Sequence, residues 1–484
     1  MHPDPHSATM TTELPRVLGL RDVALLYTIA IVSLQWLPTA AQAGPSSLAL
    51  WIVALAVFFV PSGLAVMELA SRYDGEGGLY VWIKQAFGDI HGFIAGWSYV
   101  VANLVFLPTV LLFLAGAASY VGAQTWPGLK DSFAFNAGLS LAVLWLVVGV
   151  NILGLGRARW IANAGAVLMG IALSILAAGA MVYASRHGSA TAFGDGWLPN
   201  AADPLVAKAF ATMMLALTGL ELAPLMGSEI RNPRRVIPRA IVAASAAIVV
   251  FYLLGTIALL VALPPEKINA LTGIPEGVAI IAEHIGVPAL GPLAALLMAI
   301  ASAGVIAAWV AGGVRLPYVV GIDHHLPRMF SRLHPRWHSP YLALIVSGAV
   351  TSVLVLLALA GSTIGDAYQI LVDMTVTLNF IPLAYMFAAL PMLRAKGIGD
   401  RPELLRVPGG RIGIALVTGL GVSSTLLSIA FALSPPAGGV DGTFYAKELG
   451  GCALFLGAGL LLFLAGRRSR IPAASSSPPN LAAR

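Results

Sequence analysis

LQWLPTAAQAGPSS, residues 34–47, interrupts the first long apolar segment of the chain with Gln35, Pro38, Thr39 and the pair Gly44-Pro45. Pro38 has no amide hydrogen and crowds the preceding turn, so a helix that carries it is expected to kink or open there. At membrane depth, non-helical backbone persists only where protein or a water-filled cavity meets its polar groups. Ser33, Gln35 and Thr39 offer side-chain partners beside the expected opening, and Trp36 adds a broad apolar face with one donor. Taken alone, the stretch fits a plain kinked helix as well as a ligand site. Gly44-Pro45 suits a tight turn into the next span.

The membrane setting follows from composition. The 484 residues are 58% hydrophobic and 10% charged, with mean hydropathy +0.85, whereas soluble domains carry about 25% charged residues. Apolar runs able to cross roughly 30 Å of hydrocarbon recur along the chain. They are read at about 22–43, 46–70, 87–120, 135–155, 160–183, 205–227, 236–263, 289–314, 341–362, 366–392, 411–434 and 446–466. Twelve spans put both termini on one side. Of the 28 lysines and arginines, only Lys130, Arg186, Lys208, Lys267 and Lys447 fall on the opposite side. The positive-inside rule therefore makes both termini cytoplasmic in a multi-pass protein of the cell membrane.

The same distribution argues against nucleic acid as a partner, because the basic residues follow topology instead of forming a patch. The single cysteine, Cys452, excludes an internal disulfide framework. Residues 71–89 should form a structured loop with Leu79, Val81, Trp82 and Phe87 against the bundle. Residues 315–340 should include a short interfacial helix. The histidines there, His324, His325, His334 and His338, lack a compact carboxylate or cysteine set, so no metal and no cofactor are expected.

The sixth span changes the reading of the first. FATMMLALTGLELAPLMGSEIRNPRRVIPRA, 210–240, carries Thr218-Gly219, Glu221 and Pro224 inside an apolar run. Intramembrane carboxylates are costly and face polar interiors. Glu229 sits nearer the basic end and is expected to pair with Arg231, Arg234, Arg235 or Arg239. Breaks five spans apart have opposite orientations, as an inverted repeat requires, and their freed amides and carbonyls can hold both ends of a zwitterion.

On PSGLAVMELASRYDGEGGLYVWIKQAFGDIHGFIAGW (61–97) and TGLELAPLMGSEIRNPRRVIPRAI (218–241), the chain resembles the amino acid–polyamine–organocation (APC) transporter superfamily over about residues 16–470. The combination is an acidic residue ending span two, a G-G-x-Y/x-x-W loop and an E-x-x-N-P-x-R-x-x-P junction. The resemblance implies an all-α polytopic fold of twelve transmembrane helices, a LeuT-like five-plus-five inverted repeat with discontinuous helices 1 and 6. The parts would be a tail (1–20), the first repeat (21–200), the second repeat (201–400), two further helices (401–470) and a second tail (471–484). Spans three, eight and ten would line the path. Where most members place a glycine-rich run in span one, this chain has Ser33-Leu34-Gln35-Trp36-Leu37-Pro38-Thr39, similar to the branch that contains glutamate/γ-aminobutyrate antiporters.

The expected function is secondary transport of an amino acid or related amine by alternating access, as an exchanger, with proton-coupled symport as the alternative. Substrate is assigned to Ser33, Gln35, Trp36, Leu37, Pro38, Thr39, Leu217, Thr218, Gly219 and Glu221. Pathway or coupling candidates are Glu221, Ser302, Asp373 and Thr377, with protons the candidate coupling ion. Ser302 is the only hydroxyl in span eight, which disfavours sodium. The rivals are weaker. An enzyme would need a nucleophile and base that the spans lack, a passive channel would favour a continuous polar stripe, and no phosphate-binding loop supports ATP drive.

Overall fold

The computed structural model describes residues 16–470 apart from 74, 123–124, 201, 323–325, 327, 361–363, 401–403 and 435–441. His324, His325 and most of the two tails lie outside the described residues. Nearly all regular structure is helical. In chain order the helices are α1 (Leu20–Ile31), α2 (Trp36–Ala41), α3 (Ser46–Ala54), α4 (Val60–Arg72), α5 (Gly78–Phe87), α6 (Asp89–Ser119), α7 (Phe133–Ile152), α8 (Leu155–His187) and α9 (Pro204–Ala216). They continue as α10 (Leu222–Leu225), α11 (Pro233–Ala262), α12 (Gly273–His284), α13 (Leu290–Gly313), α14 (Arg315–Ile322), α15 (Tyr341–Leu359), α16 (Ile364–Ala395), α17 (Gly410–Ala432) and α18 (Gly442–Arg470).

Among the described residues, ten helical stretches are long and apolar enough to cross a membrane. The segments containing α1–α2 and α9–α10 are not among them, because each is broken into pieces too short to qualify. Ile412, Leu454 and Leu461 are at least 70% exposed, a cost in water that hydrocarbon removes. Inside, α6 is enclosed nearly throughout and packs on α13, α16 and α5. Helix α8 crosses α13 closely, where Gly165 and Gly304 meet so tightly that a Cβ on either would come 2.7 Å from the other's Cα. Small residues at such a crossing allow the backbone contact that drives helix association in lipid.

Prolines are accommodated by local repair. Pro61 follows a π-helical turn, Leu55–Phe59, that joins α3 to α4. The carbonyl of Val57, which Pro61 cannot serve, accepts from Ser424 Oγ at 3.4 Å. Pro38 departs from expectation. The helix opens at Val32–Gln35, and Pro38 sits in the first turn of α2. A helix start has amides without intrahelical partners, so the missing N–H costs nothing there.

The loop helix α5 is drawn into the core. Leu79 and Trp82 are fully buried, and Gly77 donates to the Leu225 carbonyl at 3.4 Å. Gly78 must be small and left-handed (φ 34°), since a Cβ would press on Pro224 at 3.0 Å. The 315–340 loop does begin with a short helix, α14. Helix α12, between the apolar runs at 236–263 and 289–314, lies over α2: a Cβ on Gly273 would touch Pro38 at 3.3 Å.

Candidate functional site

The two breaks lie side by side at the centre of the bundle. In the second, Leu217–Glu221, Gly219 adopts φ 125°, and a Cβ on it would come 3.0 Å from Ile31 Cγ1. Glycine is therefore what lets the two openings touch. Tyr252 of α11 sets its hydroxyl between the final carbonyls of two half-helices, Ile31 O of α1 and Ala216 O of α9, the latter at 3.0 Å. Trp309 of α13 donates through Nε1 to Ala30 O at 2.9 Å, and Thr218 Oγ1 donates to Leu215 O at 2.7 Å. The carbonyl ends of both half-helices are thus supplied with donors.

The amide ends differ. At the second break Glu221 turns back and accepts from Gly219 N at 3.0 Å, while its other oxygen accepts from Tyr99 Oη at 3.1 Å. At the first break the Ser33 amide faces the Tyr252 hydroxyl, and the amides of Leu34 and Gln35 donate to no acceptor among the described residues. Ser33 Oγ and both amide atoms of Gln35 are likewise buried without partners, as are Tyr27 Oη and Asn379 Nδ2; Thr377 Oγ1 is unpartnered too, but on a different face of α16 from the cavity-lining Thr375 and Asn379. So many unmet polar atoms around one locus are uncommon in a protein interior, where more than 90% of such groups are paired.

A small cavity of about 20 Å³ lies between these elements, lined by Ala30, Trp36, Asn103, Phe106, Trp309 and Asn379 among others. It has room for one water and is far too small for an amino acid. Three aromatic rings wall it: Trp36 stacks on Phe106 at 6.0 Å, and Phe106 meets Trp309 at 5.1 Å. A much larger cavity, about 1350 Å³, opens at the arginine-rich end between Arg16, Arg235, Arg239 and Leu405, away from the breaks. Its size reflects an open surface groove, and the small cavity is the one at the broken helices.

Of the residues assigned from sequence, Trp36 and Thr218 line the small cavity. Leu37 packs outward against Gly255 of α11, and Pro38 against Gly273. Thr39 and Leu217 are buried beside the breaks. Ser302 bonds Met298 O of its own helix at 2.8 Å. Asp373 is held by Lys208 Nζ at 2.6 Å and Gln369 at 3.1 Å. Tyr99, Asn103, Phe106, Trp309 and Asn379 escaped sequence reading, because single aromatic or amide residues in apolar spans look alike whether they face lipid, core or cavity.

Both ends are shut. At the basic end Leu18 pairs as a backbone bridge with Ile230, and Val17 and Leu18 donate to Glu229 O. Glu229 pairs with Arg315 through both oxygens, at 2.8 and 3.0 Å, and not with Arg231, Arg234, Arg235 or Arg239. Arg231 precedes α11 and the other three lie in its first two turns, exposed or half-buried, whereas Arg315 is buried and faces the carboxylate directly. Glu68 gathers Arg72, Arg394 and the Val407 amide. At the opposite end, Lys208 also donates to Ala432 O at 2.7 Å, Gln42 to Ile268 O at 2.8 Å, and Tyr120 to Glu276 at 3.2 Å.

Glu76, in the loop before α5, accepts from Ser228 Oγ at 2.6 Å. Burial, reinforced by the charge of Glu229, pushes its carboxyl up from 4.5 to about 7, against the lowering by Ser228 and Arg315. A carboxyl raised in the folded state contributes stability that is present below 4.5 and lost as pH rises through about 7. The melting temperature of the purified chain should therefore carry a component that falls over that window and flattens above it. Glu76→Gln should remove that component; an unchanged pH profile in the variant would contradict the assignment.

The sequence profile of the family described as amino acid permease matches residues 18–447. The chain is 27% identical over 452 residues to the uncharacterized transporter lpg1691 of Legionella pneumophila, across 93% of this chain and 95% of that protein. It is 25% identical over 328 residues to the probable agmatine/putrescine antiporter AguD of Lactococcus lactis, across 66% of this chain and 67% of the relative. The crystal structure of MhsT in complex with L-phenylalanine superposes with a TM-score of 0.60 at 15% identity, over 85% of this chain and 98% of that one. The arrangement of helices is thus LeuT-like.

Proposed function

Because the chain belongs to the amino acid permease family of the APC superfamily, whose members are membrane transporters and not enzymes, we propose that it exchanges an amino acid or its decarboxylated amine across the cytoplasmic membrane by alternating access. The observation that carries this reading is the asymmetric pair of breaks. Glu221 occupies the amides of the second, while the amides of Leu34 and Gln35 in the first remain without acceptors among the described residues. A substrate carboxylate suits those amides, at the positive end of α2. A substrate ammonium suits the Glu221 carboxylate and the faces of Trp36, Phe106 and Trp309, where cation–π attraction operates within about 6 Å.

In this reading the two broken segments complete the first and sixth of twelve spans, and residues 21–200 and 201–400 are inverted repeats, followed by two further helices in 401–470. Both breaks have the same local grammar. Gln35 precedes α2 and Glu221 precedes α10, each with a proline in the first turn, Pro38 and Pro224. The arginine-rich end faces the cytoplasm, which puts both termini there. A core closed at both ends favours a carrier that occludes its cargo over a channel. The relative whose name specifies agmatine and putrescine adds weight to amines as cargo.

The test is a thermal-shift screen of the purified chain over amino acids, amines and polyamines, followed by counterflow of the hit in sealed vesicles. Uptake should saturate and be accelerated by the same compound inside. Flux that never saturates, or that ignores internal substrate, would overturn exchange.

A further inference from the structure

Glu448 of α18 plays no part in the site above. It is fully buried, and neither carboxylate oxygen has a hydrogen-bond donor among the described residues. Helix α18 meets α16 closely just there, with a Cβ on Gly451 reaching 2.6 Å from Cε of Met374, the neighbour of Asp373. Asp373 carries its ion-pair partner Lys208 to the same contact between α16 and α18, and Cys452 sits one turn further along α18. Gln369 bonds Asp373 on the side away from Lys208. The cluster therefore places two carboxyl groups and one ammonium in a buried, apolar setting. If both carboxyls were ionised it would carry one uncompensated negative charge, on a group with no donor to stabilise it. Such a charge costs several kcal/mol and is relieved by taking up a proton.

We propose that Glu448, Asp373 and Lys208 form a proton-binding site in which Glu448 carries the proton while Lys208 is docked on Asp373. The ammonium makes the site responsive to movement, because Lys208 ties α9 to Asp373 of α16 and to the last turn of α17 at Ala432 O. When α9 swings away, Asp373 loses its counter-ion, and both carboxyls then hold protons more tightly. By reciprocity, acid favours the released position of α9 and alkali the docked one. This inference rests on the transporter reading for its purpose, since α9 is half of a broken helix at the substrate site, but not for the chemistry of the proton.

Infrared difference spectra of the full-length purified protein, taken between mildly alkaline and mildly acidic buffer, read the proton directly. The wild type should show the carbonyl band of a buried carboxylic acid, and Glu448→Gln should lose the part that Glu221→Gln retains. Glu448→Asp, the conservative variant, should shift that band instead of removing it, which keeps the test alive if the glutamine variant folds poorly. A spectrum unchanged by both Glu448 substitutions overturns the proton site. Counterflow of the panel hit separates the two readings. No counterflow in wild type sinks the transporter and leaves the band to be judged on its own. Normal counterflow whose pH profile is the same in wild type and Glu448→Gln sinks the coupling of the proton to α9.

Discussion

Glu229→Ala is expected to unlock the arginine-rich face and to destabilise the protein by about 3–5 kcal/mol, the usual cost of stranding one partner of a buried ion pair. Arg315 is buried and has both forks on Glu229; its remaining acceptor is the carbonyl of Ala311, one turn back. Without the carboxylate, the cheapest way to hydrate the guanidinium is for the segment before α1 to lift from Glu229–Arg231, breaking the Leu18–Ile230 bridge. A cysteine placed at Ala30, which lines the cavity, in a Cys452→Ser background should then react with a water-soluble maleimide roughly 100-fold faster, as about 3 kcal/mol implies. A lower melting temperature should accompany this. The decisive control is Glu229→Leu combined with Arg315→Met. Removing both charges should restore much of the stability that either single change loses. If the double variant is as unstable as the sum of the singles, the pair is not a unit and the seal lies elsewhere.

The sequence disclosed the plan of this site better than its details. Period, proline and the carboxylate at 221 located both breaks to within a turn, because a broken helix in lipid needs an unusual residue set and the chain has it in two places. The opening itself falls before Pro38, since proline is disfavoured within a helix yet welcome at its start. The shared pattern Leu-Gln-x-x-Pro at 34–38 and Leu-Glu-x-x-Pro at 220–224 was a signal of equivalence between the breaks that local reading of each passes over.

Side-chain partners were less legible. Glu229 had four arginines close in sequence and chose one 86 residues away. In the sequence Asp373 reads as a pathway-lining acid or as a structural partner to another helix, with that partner unnamed, and Lys208 as the edge of a loop. Their 2.6 Å pairing depends on the packing of α9 against α16, which no local window contains. Glu448 stood at the margin of the final span, and only its burial against α16 gives it chemistry. Long-range electrostatic choices are settled by helix packing, and packing in an apolar bundle is weakly encoded by any one residue.

Glu221→Gln is expected to lower transport of a cationic amine by about 10- to 100-fold while leaving the fold intact. Glutamine keeps the shape, its oxygen can accept from Gly219 N, and its amide can donate to Tyr99 Oη, because a phenol accepts as well as donates. Only the charge is lost, and hydrogen bonds to charged groups are worth about 1.5–3 kcal/mol. Glu221→Leu goes further, leaving the Gly219 amide and the Tyr99 hydroxyl buried without their partner, so it should also lower the melting temperature. The two variants separate recognition from capping. A zwitterionic amino acid that anchors its carboxylate on the Leu34 and Gln35 amides should suffer less from Glu221→Gln than an amine that has no carboxylate to offer. Counterflow of a matched pair, one amino acid and its decarboxylated amine, reads that difference. Equal losses for both would assign Glu221 to the gate. No loss for either would leave it as the cap of a broken helix, with the cargo's charge met by the aromatic walls alone.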